Sequence, residues 1–269
     1  MTDTTIYPEL DPSIAKMLDA SENKYVIGQR ERIKLSIRYA LRHGVVKGEV
    51  LDVGGHSGGE VHDAWRMAFP NARIIPTTTD LHDPLPFESG SFDGCIAGEI
   101  FEHIGDKDFR TSIKNFSGVI NLLVEILRVL KPGGRCFLTT PNACSFKNIA
   151  LAMCNTHPFM YTLHYREYAK HEIEKMLAFI KAQIVTFETN DVFRQANEFV
   201  EAIKKFCEEH KLPMNDRGND FFLVFEKPLD WQMPDIPNNT AHIVYPDDRR
   251  EKFIRPWSMK EEKRYVGEV

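Results

Sequence analysis

The chain has no apolar run long enough to span a bilayer, no segment repeating at a fixed period and no low-complexity stretch. Its start, MTDTTIYPEL, lacks the basic flank and apolar core of a secretion signal. Cysteine is scarce. The five residues Cys95, Cys136, Cys144, Cys154 and Cys207 are odd in number and contain no C-x-x-C pair. That excludes an even disulfide framework and points to a reducing, cytoplasmic setting. Positive charge is also short: 34 Lys and Arg stand against 39 Asp and Glu, for a formal net charge of −5. Such a balance gives nucleic acid no broad attraction, so neither a nucleic-acid nor a membrane partner is expected. No G-K-[ST] follows the glycines and no G-x-S-x-G elbow occurs, which argues against a phosphate-cradling ATPase loop and a serine hydrolase. The cluster Asp80, His82, Asp83 and the pair His157 and His164 match no zinc spacing, so no metal is expected.

What is present alternates. Residues 13–43 read as one or two amphipathic helices ending near Gly44. Strand-like EVLDV, ARIIPTTTD, SFDGCIAGEI, GRCFLTTPN, QIVTFETNDVF and DFFLVFEKP then interleave with helix-like GEVHDAWRMAF, SGVINLLVEILRVL, YREYAKHEIEKMLAFIKA and NEFVEAIKKFCEEH. This order predicts an α/β fold: a Rossmann-like, mostly parallel sheet with helices on both faces. Residues 1–44 read as an N-terminal helical cap and 45–227 as the core. Residues 228–269, rich in proline and charge, read as an extended C-terminal tail. Its Trp231 and Trp257 could pack on the body or on a second subunit, a possible homodimer.

The stretch EVLDVGGHSGGEVHD, residues 49–63, sets the functional question. An acid inside a buried-looking strand needs a partner, and four glycines in six positions let the backbone turn sharply and approach a ligand. In open α/β sheets ligands bind outside the carboxyl ends of the strands. The loops 54–60, 77–86, 97–106 and 139–147 are therefore the candidate site. His56 stands at the middle glycine position that dinucleotide loops need, which counts against NAD.

Four segments, in order, resemble the class I S-adenosylmethionine-dependent methyltransferases, including the family's small-molecule and glycan-modifying members. They are LDVGGHSGG, DLHDPLPFESGSFDGCIAGEIFEHI, EILRVLKPGGRCFLTTPN and HYREYAKHEIEKML. The resemblance spans roughly residues 45–227 and implies S-adenosylmethionine as cofactor. On the matching positions it implies cofactor contacts from Asp52, Gly54, Gly55, His56, Ser57 and Gly58. It also implies Glu99 at the end of the strand that precedes E-H-I. The ribose acid would fall roughly 20 residues past the loop, which makes Thr78, Thr79 and Asp80 the candidates. Only 33 positions separate Asp52 from Leu85. One strand–helix unit therefore looks shortened after the second strand, since a βαβ unit takes about 30 residues. Lid insertions are expected near 105–118 and 143–165, with Phe109, Phe116, Phe146, Phe159, Tyr161 and Tyr165 as pocket or core aromatics.

The implied activity is methyl transfer to a small molecule or sugar, with O-methylation favoured. The catalytic candidates are His103, His164 and Glu99, with Asp106 as a further base. For His103 a buried histidine bonded to backbone is the competing role, and for His164 a residue at a helix start. A second expectation is a catalytically inactive methyltransferase-like partner protein, supported by His56 and the shortened unit.

Overall fold

Strand residues alternate between two apolar layers, and that alternation builds the molecule. The computed structural model describes residues 7–55, 58–106, 116–193, 198–237 and 240–245. Its strands are β1 (Glu49–Val53), β2 (Arg73–Thr77), β3 (Phe92–Gly98), β4 (Leu130–Pro141), β5 (Gln183–Asn190) and β6 (Asp220–Glu226). They form one sheet in the order β2-β1-β3-β4-β6-β5. β1 to β4 run parallel, and β6 is antiparallel to both of its neighbours. The helices are α1 (Pro12–Asp19), α2 (Lys24–Arg42), α3 (Glu60–Ala68), α4 (Ser117–Val129), α5 (Phe146–Met153), α6 (Lys170–Phe179), α7 (Glu198–Glu209) and α8 (Ala241–Val244).

Leu51, Val53, Cys95, Ala97, Cys136 and Leu138 face one way, into a core shared with α4 and α6. Val50, Ile96 and Phe137 face the other way, into a core shared with α1, α2 and α3. The period of two along each strand fills both layers at once. The N-terminal helices thus close one face of the sheet. Asp11 and Asn23 start them, their side chains accepting from Ser13 N and Tyr25 N at 2.8 and 2.9 Å. The shortened unit is present as expected: after β2 the chain goes straight to β3, on the far side of β1.

Three local readings change. β4 begins at Leu130, ahead of the Pro-Gly-Gly turn expected there, and its register against β3 slips between Phe92 and Gly94. α6 begins at Lys170, although the pattern suggests a start at Tyr165. The amides of Tyr165 and Arg166 both donate to the Glu102 carbonyl, and Tyr168 bridges to Asn142, so this stretch stays extended. α5 is a helix inside the expected lid, capped by Ser145 Oγ accepting from Asn148 N at 3.1 Å.

The tail is not wholly extended. Trp231 Nε1 donates to the Ile180 carbonyl at 2.8 Å, and Val244 on α8 is buried against the α4–α6 core. Trp257 lies outside the described residues, as do His56, Ser57 and Phe109. Cys95 and Cys136 are register partners on β3 and β4, and all five cysteines are free. Among the described residues no helix is long and apolar enough to cross a membrane.

Candidate active site

Beyond β1 the chain turns at Gly54, where φ is +71°. A side chain at Gly54 would run into Ile100, and one at Gly55 into the Asp52 carboxylate. Gly58 and Gly59, at φ +89° and +93°, deliver the chain into α3, whose N-terminus has no side-chain cap. These left-handed positions suit glycine because it lacks a Cβ.

A cavity of about 490 Å³ opens beside this loop, within the roughly 300–1,000 Å³ of small-molecule sites. One wall is Asp52, Gly54, Gly55, Gly58 and Gly59. A second is the end of β3 at Gly98, Glu99 and Ile100. The roof comes from the N-terminal helices through Asn23, Tyr25, Arg32 and Ser36. The structure therefore gathers Asp52, Gly54, Gly55, Gly58 and Glu99 around one space.

It does not gather Thr78, Thr79 and Asp80 there. All three are exposed past the end of β2. Thr79 Oγ1 lies 3.0 Å from Thr77 Oγ1, and Asp80 accepts from the His82 amide at 3.0 Å. The His82 ring links this segment to the loop after β3, with Nδ1 at 2.7 Å from Asp80 and Nε2 at 2.8 Å from the Gly105 carbonyl.

Among the described residues Asp52 has no salt-bridge partner, and burial pushes its carboxyl up from 3.8 to about 7. Because this lies above the unfolded value, the ionised form costs stability that the protonated form does not. The penalty is absent below about pH 4 and grows as pH rises through 7, to a few kcal/mol on the order of the shift. Asp52→Asn is thus expected to match the parent chain in urea unfolding near pH 4 and to exceed it above pH 7. Parallel curves across that window would contradict the assignment.

Arg32 lies buried across the end of the sheet. Its Nε donates to Gln29 at 2.8 Å and its Nη1 to Thr139 Oγ1 at 3.4 Å. A Cβ on Gly98 would come 3.3 Å from Nη1, so glycine makes room for the guanidinium. Burial alone depresses the Arg32 proton affinity, but the field of Glu99, Tyr25, Asp220 and Glu102 outweighs it and leaves it raised. Around this cation several acidic oxygens are buried without a hydrogen-bond partner among the described residues: Glu99 Oε1, Glu102 Oε1 and both oxygens of Asp220. Glu99 is also a non-glycine at φ +54°, a strained conformation that its amide holds by donating to Thr139 O at 3.0 Å. Burial, then Glu99, raises the Glu102 and Asp220 carboxyls well above the usual range.

His103 and His164 meet edge to face, with ring centroids 4.9 Å apart. His103 follows β3 on a short 3₁₀ turn (Phe101–His103), and His164 arrives because the next two amides bond the Glu102 carbonyl. His164 Nδ1 lies 2.8 Å from Glu167 Oε1, which also accepts from Met160 N. Burial, then His164 beside it, holds the His103 imidazole below its usual value, so it is neutral near pH 7. Asp106 is engaged elsewhere, accepting from Gly118 N at 3.0 Å and Ser117 Oγ at 3.2 Å at the start of α4.

Residues 59–138, from the last glycine of the loop into β4, match the family model described as a methyltransferase domain. These residues are a methyltransferase domain. The chain shares its fold with a SAM-dependent methyltransferase from Archaeoglobus fulgidus at TM-score 0.51 and 13% identity, over 76% of this chain and 100% of that one. A SAM-dependent methyltransferase from Methanosarcina mazei aligns at TM-score 0.42 and 13% identity, over 71% and 98% of the two chains. N-methyltransferase NodS from Bradyrhizobium japonicum aligns at 0.43 and 14%, over 75% and 97%. No curated protein matches the chain in sequence. The cavity suits the donor this family uses: glycines stand where a Cβ would crowd the backbone, and a buried Glu99 oxygen lacks a partner.

Arg32, Asp220 and Glu167 escape the sequence reading. Arg32 and Ser36 stand four apart on the flank of the α2 apolar stripe, which was the one local signal.

Proposed function

We propose that the enzyme methylates a hydroxyl of a small molecule or sugar, in the reducing setting its free cysteines suit. The observation that carries the reading is the His103–His164 pair placed one turn beyond Glu99, which itself lines the donor cavity. The donor supplies a methyl group on a sulfonium, already activated for in-line displacement. The protein's task is then to hold the acceptor close and aligned, worth about 7–11 kcal/mol.

Asp52, the glycine backbone and Glu99 hold the donor, and the uncapped N-terminus of α3 suits its carboxylate. Thr78, Thr79 and Asp80 take no part in the walls of the cavity, so the ribose falls to groups that do line it. The acceptor lies against His103 and His164, where Tyr161, Leu163 and Tyr165 leave exposed apolar faces for a small organic ring. Glu167 fixes the His164 ring and tautomer, so that its Nε2 can take a proton.

The test pairs labelled donor with panels of hydroxylated and amino acceptors. Label is expected in a hydroxylated compound, and His164→Asn should lower kcat by about 10²–10⁴-fold while donor affinity holds. Transfer confined to amines, with His164→Asn fully active, would contradict the reading.

A further inference from the structure

The four groups Glu102, His103, His164 and Glu167 have a geometry that proton transfer alone does not require. One oxygen of Glu102 and one nitrogen each of His103 and His164 lie within 4.8 Å of one another. Glu102 is fully buried. Its Oε2 accepts from Thr140 Oγ1 at 2.8 Å, while Oε1, 3.9 Å from His103 Nε2, has no hydrogen-bond partner. A buried carboxyl oxygen with no hydrogen bond is costly, and Arg32 reaches Glu102 through its field without bonding this oxygen. His164 has its Nδ1 on Glu167, and this carboxylate–histidine pairing leaves the lone pair on Nε2. Glu167 is itself pinned by Asn148 Nδ2 at 2.8 Å and Met160 N at 2.6 Å.

We propose that Glu102, His103 and His164 form a divalent-cation site. Two imidazoles and one carboxylate make a borderline donor set suited to Zn²⁺, Mn²⁺, Co²⁺ or Fe²⁺. Three protein ligands leave coordination positions open, as in catalytic metal sites. His103 is the exposed ligand, so the open side faces solvent, where Tyr161, Leu163 and Tyr165 are also exposed. An acceptor oxygen can bind there beside Glu99 and the donor cavity. That use of the cation rests on the O-methylation reading, whereas binding of the cation does not. Sequence spacing hides the site because His164 lies far along the chain from the Glu-His pair.

The experiment is a Co²⁺ titration of the chelator-stripped, full-length protein, without donor or acceptor, followed by visible absorption and calorimetry. One saturating equivalent with a d–d spectrum of mixed nitrogen and oxygen ligation is expected. His103→Gln and His164→Gln, each checked by circular dichroism, should weaken binding by more than about 100-fold. Glu167→Gln should cost about 10–100-fold as an outer partner. Non-saturating uptake, or His103→Gln binding like the parent, overturns the site. Donor affinity on the same samples reports separately on the cavity, so failure of one reading is distinguishable from failure of the other.

Discussion

Arg32→Met is expected to destabilise the protein by about 3–5 kcal/mol near neutral pH, the usual cost of stripping one partner from a buried ion cluster. Methionine fills a similar volume, so lost packing contributes little. What remains is Glu99, Glu102 and Asp220 around a space with no cation, several of their oxygens already without hydrogen bonds. The deficit should depend on pH. Burial raises the Glu102 and Asp220 carboxyls above their unfolded values, and Arg32 opposes that rise. Without Arg32 they hold their protons to higher pH, so the variant loses little at about pH 5 and progressively more toward about pH 8. Urea unfolding at both values measures this. Equal stability at the higher pH, or a deficit that does not change with pH, would show that Arg32 is not the counter-ion. Arg32→Lys should fall between the two, since it restores charge without the planar fork that reaches Gln29 and Thr139.

Gly54→Val should raise the donor dissociation constant by more than about 100-fold, the scale on which a 1 Å misplacement acts. Two effects are mixed in that variant: strain at a positive φ, about 1–3 kcal/mol, and bulk pushed against Ile100 on the cavity wall. Gly90 separates them. It has the same φ of +71°, open space where a Cβ would be, and no place on the cavity. Gly90→Val should therefore show the cost of strain alone and keep donor affinity. Equal donor affinity in the two variants would remove the loop from the binding site.

The parts of the molecule readable from sequence are those with local causes. The glycine loop announces itself because positive φ and close approach demand one residue type. The shortened strand–helix unit shows in the spacing from Asp52 to Leu85, and the two-faced strands show in their near-continuous apolar runs. The active-site pairings have no local cause. Arg32 meets Thr139 across 107 positions, and a single arginine on an amphipathic helix looks like a surface charge until the sheet end beneath it is known. Asp220 opens a strand that is otherwise DFFLVFE, where a leading acid reads as a boundary residue. Its burial depends on Pro141 and Asn190 flanking it in the sheet. His103 and His164 come together through backbone amides bonding the Glu102 carbonyl, a contact that leaves no side-chain pattern. For the same reason the pattern predicts a helix from Tyr165, whereas the helix begins at Lys170.

The space between the glycine loop, the end of β3 and α2 is where we place the methyl donor. A crystal structure of the protein grown with S-adenosylhomocysteine tests that placement most directly. Ligand density is expected along Gly54 to Gly59, with Asp52 and Glu99 in contact and Arg32 roofing the site. Density bound elsewhere, with this cavity empty at saturating ligand, would contradict it.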